Sequence, residues 1–343
     1  MKLYMYVFAA LAVLMAANGV CFAADGESSW DKVFEKSDLV DVRKVHFTNR
    51  FGIELTGDLY EPKNRGEEKM GAIAVSGPFG AVKEQSSGLY AQELAKRGFV
   101  ALAFDPSFTG ESGGNVRNVA SPDINTDDFS AAVDYLTTLP EVDAEKIGIL
   151  GICGFGGFGL NAAAQDTRIK ATVASTMYDM TRVSAKGYND SMNEEDLYHL
   201  RESLNAERTK DYQNGTFEGA PGLPEKLTGD EPQFVKDYFD YYKTPRGFHE
   251  RSINSNGHWN TTSALSLITQ PILAYADTIK NAVLIVHGEK AHSRYFGEDA
   301  FKKLKGSNKE LLIVEGANHV DLYDNMQKIP FDKIENFYQT YLK

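Results

Sequence analysis

Ile147-Gly148-Ile149-Leu150-Gly151-Ile152-Cys153-Gly154-Phe155-Gly156-Gly157 is the stretch on which the fold turns. Residues 147–152 form a short apolar run that reads as a buried strand, and 156–165 continue as a helix of small residues. Cys153 therefore sits on a strand-to-helix turn bracketed by glycine. Such a turn strains the backbone at its apex, and glycines relieve the clashes with the flanking strand and helix. The apex side chain then faces a helix N-terminus, where the dipole favours thiolate over thiol. The plain alternative is a buried, inert cysteine at a glycine-rich packing contact. One position departs from the usual pattern. The second residue after the apex is Phe155 rather than a small one, and Gly156 and Gly157 come one place late.

Working outward, short apolar runs alternate with helical spacing. Residues 41–60 read as two strands around a turn at 49–52, where Asn and Gly tolerate positive φ. Strands follow at 71–76 and 99–104, with a helix at 89–97 stopped by Gly98. Phe129, Ala132, Val133 and Leu136 lie at helical spacing within 127–136. Further strands are expected at 169–175, 282–287 and 310–314, with helices at about 296–304 and after Pro330. This alternation implies an α/β fold with a mostly parallel central sheet flanked by helices. It lapses over about 181–280, a stretch rich in Tyr, Asn, Glu and Lys, which reads as an insertion.

The N-terminus has its own logic. Lys2 is followed by an apolar run over 3–17 and by small residues around Ala23 and Ala24, which reads as a signal peptide over 1–23 and a mature domain over 24–343. A retained anchor is the rival, but Asn18 and Gly19 interrupt a run that would need about 20 apolar residues. Lipidation at Cys21 is the minor reading, because Val20 precedes it. Export, periplasmic or secreted, follows, with no stable membrane association after cleavage. Removal of Cys21 leaves Cys153 as the remaining cysteine, so no intramolecular disulfide can form. A net charge of −12 argues against nucleic-acid partners, which need a basic surface.

The chain resembles the α/β-hydrolase superfamily, and within it dienelactone-hydrolase-like exported hydrolases whose elbow can carry Cys instead of Ser. The resemblance runs from about Asp41 to Lys343. It rests on the elbow at Cys153, on Ser76-Gly77-Pro78-Phe79-Gly80, on the segment from Asp105 to Gly114, and on Glu315-Gly316-Ala317-Asn318-His319, in the superfamily's order. It implies that His319 is the general base, a role that needs a near-neutral pKa within reach of the thiol. The orienting acid is less well marked. The loop after 282–287 usually presents an aspartate about three residues past a glycine, and here Ala291 occupies that place after Gly288. Glu289 is the nearest carboxylate on that loop and Asp179 the alternative on the preceding one; either could equally be a solvated loop carboxylate.

Acyl transfer also needs two backbone donors for the developing oxyanion, and the resemblance assigns them to Phe79 and Gly154. Pro78 has no N–H to offer. Lys83, Glu84 and Gln85 are expected to begin the next helix rather than line the mouth, and Asp105 with the 110–114 turn to support the elbow. The insertion falls where the superfamily grows a cap, and Tyr188, Phe248 and Trp259 are either a substrate wall or the cap's own core. A metal set from His287, His292 and His319 lacks any supporting spacing, so neither metal nor cofactor is expected. The reading is hydrolysis of a small-molecule ester, lactone or thioester through an acyl-enzyme. Acyl transfer, peptide hydrolysis and a non-catalytic binding protein on the same fold are the alternatives.

Overall fold

Alternating apolar residues on either side of Asn49 fold the first two strands back on each other, as the spacing predicts. In the computed structural model, which describes residues 30–342, β1 (Val40–Thr48) pairs antiparallel with β2 (Glu54–Pro62), burying Val45, Phe47, Leu55 and Leu59. Asn49 closes the turn, its Oδ1 accepting the Phe51 and Ile53 N–H groups at 3.0 Å each. The signal peptide expected over 1–23 lies outside the described residues.

The units that follow are β3 (Met70–Ser76), α1 (Ser86–Lys96), β4 (Val100–Phe104), α2 (Pro122–Thr137), β5 (Val142–Ile152), α3 (Gly154–Gln165) and β6 (Ile169–Ser175). Helix α2 begins five residues before the apolar spacing suggests. Ser121 caps it by accepting from Ile124 N–H, and Pro122 occupies the first turn, where its missing N–H costs nothing.

Between β6 and β7 the described residues contribute helices and no strand to the sheet: α4 (Met180–Lys186), α5 (Glu194–Asn214), α6 (Gln233–Tyr242), α7 (Ile253–Asn256) and α8 (Ala264–Thr269). Helix α5 carries a reciprocal cap between Asn193 and Asp196 and ends at Gly215 in the left-handed conformation. The chain then closes with β7 (Ala282–Gly288), α9 (Arg294–Lys303), β8 (Lys309–Val314), α10 (Asp321–Asp324) and α11 (Phe331–Tyr341).

The eight strands lie in the order β1-β2-β4-β3-β5-β6-β7-β8, antiparallel in the first two pairs and parallel from β4 onward. Parallel strands deliver their C-terminal ends to one edge of the sheet, where ligand sites of open α/β sheets form. The loops after β3, β5, β6, β7 and β8 therefore converge, bringing together residues 79, 153, 176, 293 and 319.

Candidate active site

Cys153 occupies the apex that the glycines anticipate. Its backbone lies at φ 55°, ψ −125°, a left-handed conformation that costs a residue with a Cβ about 1–3 kcal/mol. The surroundings hold it there: Cys153 N–H donates to Ser175 O at 3.0 Å, and Cys153 O accepts from Gly156 and Tyr178 N–H at 2.9 Å each. A Cβ on Gly151 would stand 2.0 Å from Phe155 O, and one on Gly154 2.7 Å from Phe79 Cβ, so both positions exclude a side chain. Phe155 causes no crowding. Its ring turns into the core against Phe158 and Phe129, at centroid distances of 5.2 and 6.2 Å.

The backbone N–H groups of Phe79 and Gly154 lie beside the Cys153 sulfur, near enough to pull its thiol down. Two donors thus meet at the atom beside which a carbonyl oxygen would sit during attack. Burial pushes the Cys153 thiol up, against the pull of the Tyr323 hydroxyl and these two N–H groups. The thiolate favoured by helix position alone is therefore outweighed by desolvation.

The loop that carries Phe79 is held from both sides. Asn254 Nδ2 donates to Phe79 O at 2.8 Å, and Asn254 N–H and Ser252 Oγ donate to Gly80 O at 3.2 and 2.9 Å. Below the loop, Lys83 N–H donates to Asp105 Oδ1 at 2.8 Å. The fully buried Lys83 ammonium binds Glu84 at 2.6 Å, Asp105 at 3.3 Å and also Glu111. Burial alone would lower this ammonium, but the Asp105 and Glu84 carboxylates hold it well above its ordinary value. Lys83, Glu84 and Gln85 precede α1, with Gln85 as its N-cap position, and none lines the cavity at Cys153.

His319, 1% exposed, reaches the site from the loop after β8. Its Nδ1 lies 2.6 Å from Ser293 Oγ and 3.0 Å from Thr176 Oγ1. The Thr176 hydroxyl donates to His319 O at 3.3 Å, which leaves its lone pairs to accept from Nδ1–H and turns the unprotonated Nε2 outward. That Nε2 is 3.0 Å from the Tyr323 hydroxyl, and Tyr323 lines the same cavity as Cys153. Burial pushes the His319 imidazole well below its ordinary value, with His292 and His287 adding to the effect.

Neither carboxylate singled out for the acid meets His319. Glu289 turns back along its loop and accepts the Gly316 N–H at 2.8 Å. Asp179 caps α4, accepting from Thr181 and Arg182 N–H at 3.1 and 2.9 Å. Ser293 and Thr176 hold the place instead. The sequence signals neither of them, since hydroxyl residues are common in loops. Tyr323 could have been noticed, being four residues past His319 and so on the same side of a helical turn.

The cavity at Cys153 has a volume of about 230 Å³ and is walled by Phe79, Tyr178, Met180, Leu223, Tyr238 and Tyr242, with Asn254 and Tyr323. Among the described residues, no carboxylate, ammonium or guanidinium lines it. The aromatics named from the sequence are placed otherwise. Trp259 stacks on Phe79 at 4.2 Å without lining the cavity, Tyr188 packs on Phe234 at 5.6 Å, and Phe248 is exposed. His287 Nε2 is spent on Met177 O and His292 Nε2 on the Tyr178 hydroxyl, so these rings have their own partners beside His319.

Residues 52–321 match the X-Pro dipeptidyl-peptidase (S15) family. The chain is 58% identical over 91% of its length, and 84% of the relative's, to the uncharacterised protein PA2218 of Pseudomonas aeruginosa. The crystal structure of PA2218 superposes with a TM-score of 0.89, covering 91% of this chain and 97% of that one. The uncharacterised protein YcjY of Escherichia coli is 36% identical over 82% of this chain and 92% of its own. A thiohydrolase of Eupenicillium brefeldianum is 33% identical over 40% of this chain and 43% of its own. An eight-stranded, mostly parallel sheet, an elbow after β5 and a match across most of the chain agree: this protein is an α/β hydrolase belonging to the S15 family.

Proposed function

We propose that the protein hydrolyses an ester, lactone or thioester with an uncharged acyl group, through an acyl-enzyme on Cys153. The observation that carries this is a cysteine held at a left-handed elbow on the wall of a neutral cavity that it shares with Phe79, with the Phe79 and Gly154 N–H groups beside its sulfur. His319 acts as the base; Phe79 and Gly154 hold the oxyanion; water releases the acyl group. The cavity supports the choice of substrate. A dipeptidyl-peptidase must bury the free α-ammonium of its substrate near the scissile bond, and an unpaired buried charge is strongly disfavoured. Among the described residues, the wall at Cys153 offers no carboxylate to meet it. The similarity to a thiohydrolase is consistent with a thioester. We also propose export, on the apolar run over 3–17.

Intact-mass analysis tests the reading. Incubation with neutral acyl thioesters and activated esters should add one acyl group to the wild type and none to Cys153→Ala, whose turnover should fall at least about a hundredfold. Cleavage of an X-Pro anilide with a free amino group, with every ester, lactone and thioester left intact, would overturn it.

A further inference from the structure

Tyr323 has no part in the mechanism as described, yet it lines the same cavity as Cys153, and its hydroxyl lies 3.0 Å from His319 Nε2. The chain holds it there with several buried contacts. The Tyr90 hydroxyl donates to Leu322 O at 2.7 Å, and Ser86 Oγ donates to Tyr323 O at 2.9 Å. Arg246 grips Asp324 through two bonds of 2.8 and 2.6 Å, fixing the short helix α10. The rings of Tyr241 and Tyr242 stand edge-on to Tyr323 at 5.0 and 6.2 Å. A ring held in this way cannot swing aside cheaply.

Resting on the acyl-enzyme reading, we propose that Tyr323 is a catalytic residue that relays the proton between Cys153 and His319. A phenol is both donor and acceptor, so it can accept one proton while passing on another. As Sγ forms its bond to the substrate carbonyl carbon, the S–H bond breaks and its proton moves to the Tyr323 oxygen. The proton already on Tyr323 moves to His319 Nε2, and the carbonyl π pair moves to the oxygen held by Phe79 and Gly154. On collapse the carbon–leaving-group bond breaks, the leaving group takes a proton from Tyr323, and His319 restores it. Deacylation repeats the cycle: water adds to the acyl carbon and gives its proton to Tyr323, and the departing sulfur takes one back. No tyrosinate forms at any point. Burial holds the Tyr323 hydroxyl well above its ordinary value, which suits a group that transfers protons without ionising.

The test compares wild type, Tyr323→Phe and Cys153→Ala on one neutral acyl thioester. Tyr323→Phe keeps the ring and its packing, and should lower kcat by about 10²–10³-fold with KM changed less than about threefold. The dependence of kcat on the deuterium fraction of the solvent should be curved in wild type, where two protons move together, and straight in the variant. Fluorotyrosine at position 323, isosteric and more acidic, should shift kcat and leave the near-ultraviolet circular dichroism unchanged. A Tyr323→Phe enzyme that is folded and turns over at the wild-type rate would overturn the relay. So would a loss carried entirely by KM. Wild-type turnover in Cys153→Ala would overturn the acyl-enzyme reading itself, and so separates the two failures.

Discussion

Ser293 Oγ lies 2.6 Å from His319 Nδ1, in the place where an acyl-transfer triad presents a carboxylate. A hydroxyl orients the ring and fixes its tautomer as a carboxylate would, but it brings no negative charge to stabilise the imidazolium that the proposed attack would form. A thiol tolerates this better than an alcohol, because it ionises more easily and needs a weaker base. The neutral pocket and the cysteine elbow are therefore two sides of one arrangement.

Replacing the carboxylates should accordingly have little effect. Glu289→Gln and Asp179→Asn are expected to keep kcat within about threefold of wild type, since Glu289 serves the Gly316 N–H and asparagine caps a helix as well as aspartate. Loop position alone implies the reverse for Glu289. A loss of more than about tenfold in folded Glu289→Gln, measured by steady-state kinetics, would mean that the loop rearranges to bring this carboxylate to His319.

The pH profile follows from burial. A base must be unprotonated to act, and the His319 imidazole lies well below its ordinary value, so the acid limb of kcat/KM should fall well below about pH 6.5. The Cys153 thiol is pushed up, so its ionisation adds no rise near neutrality. The profile should be flat from about pH 6 to 8. Ser293→Asp supplies the missing charge and should move the acid limb upward by about one pH unit or more. An acid limb near 6.5 in wild type would show that His319 is solvated during turnover.

Stability should depend on Lys83. Its ammonium pairs with the buried Glu84 and Asp105 and with the partly exposed Glu111, and removing it strips a buried cation from the fully buried Asp105 carboxylate. Lys83→Met is expected to cost about 3–5 kcal/mol in urea unfolding. A cost under about 1 kcal/mol would show that water or Arg251, which binds Glu84 at 2.7 Å, compensates. Because Asp105, the carboxylate that loses its cation, also accepts the backbone N–H of residue 83 below the Phe79 loop, surviving activity should fall with stability.

Order along the chain was enough to place Cys153, because an apolar strand, a glycine-bracketed apex and a small-residue helix are local features that require one backbone shape. The strands at 71–76, 169–175 and 282–287 were legible for a similar reason. Their side chains are buried on both faces, so continuous apolar runs mark them. The start of α2 was misplaced because apolar spacing outweighed the Ser121-Pro122 cap. The placement of Ser293, Thr176 and Tyr323 around His319 was decided only in three dimensions. They come from the segments after β7, β6 and β8, which parallel strand order brings to one edge, and nothing in such a segment's composition states which of its side chains will face inward. The protonation of the site was likewise tertiary. Helix position favours the thiolate and loop position suggests a carboxylate, whereas desolvation is a property of everything packed around the group, and it raises Cys153 and lowers His319.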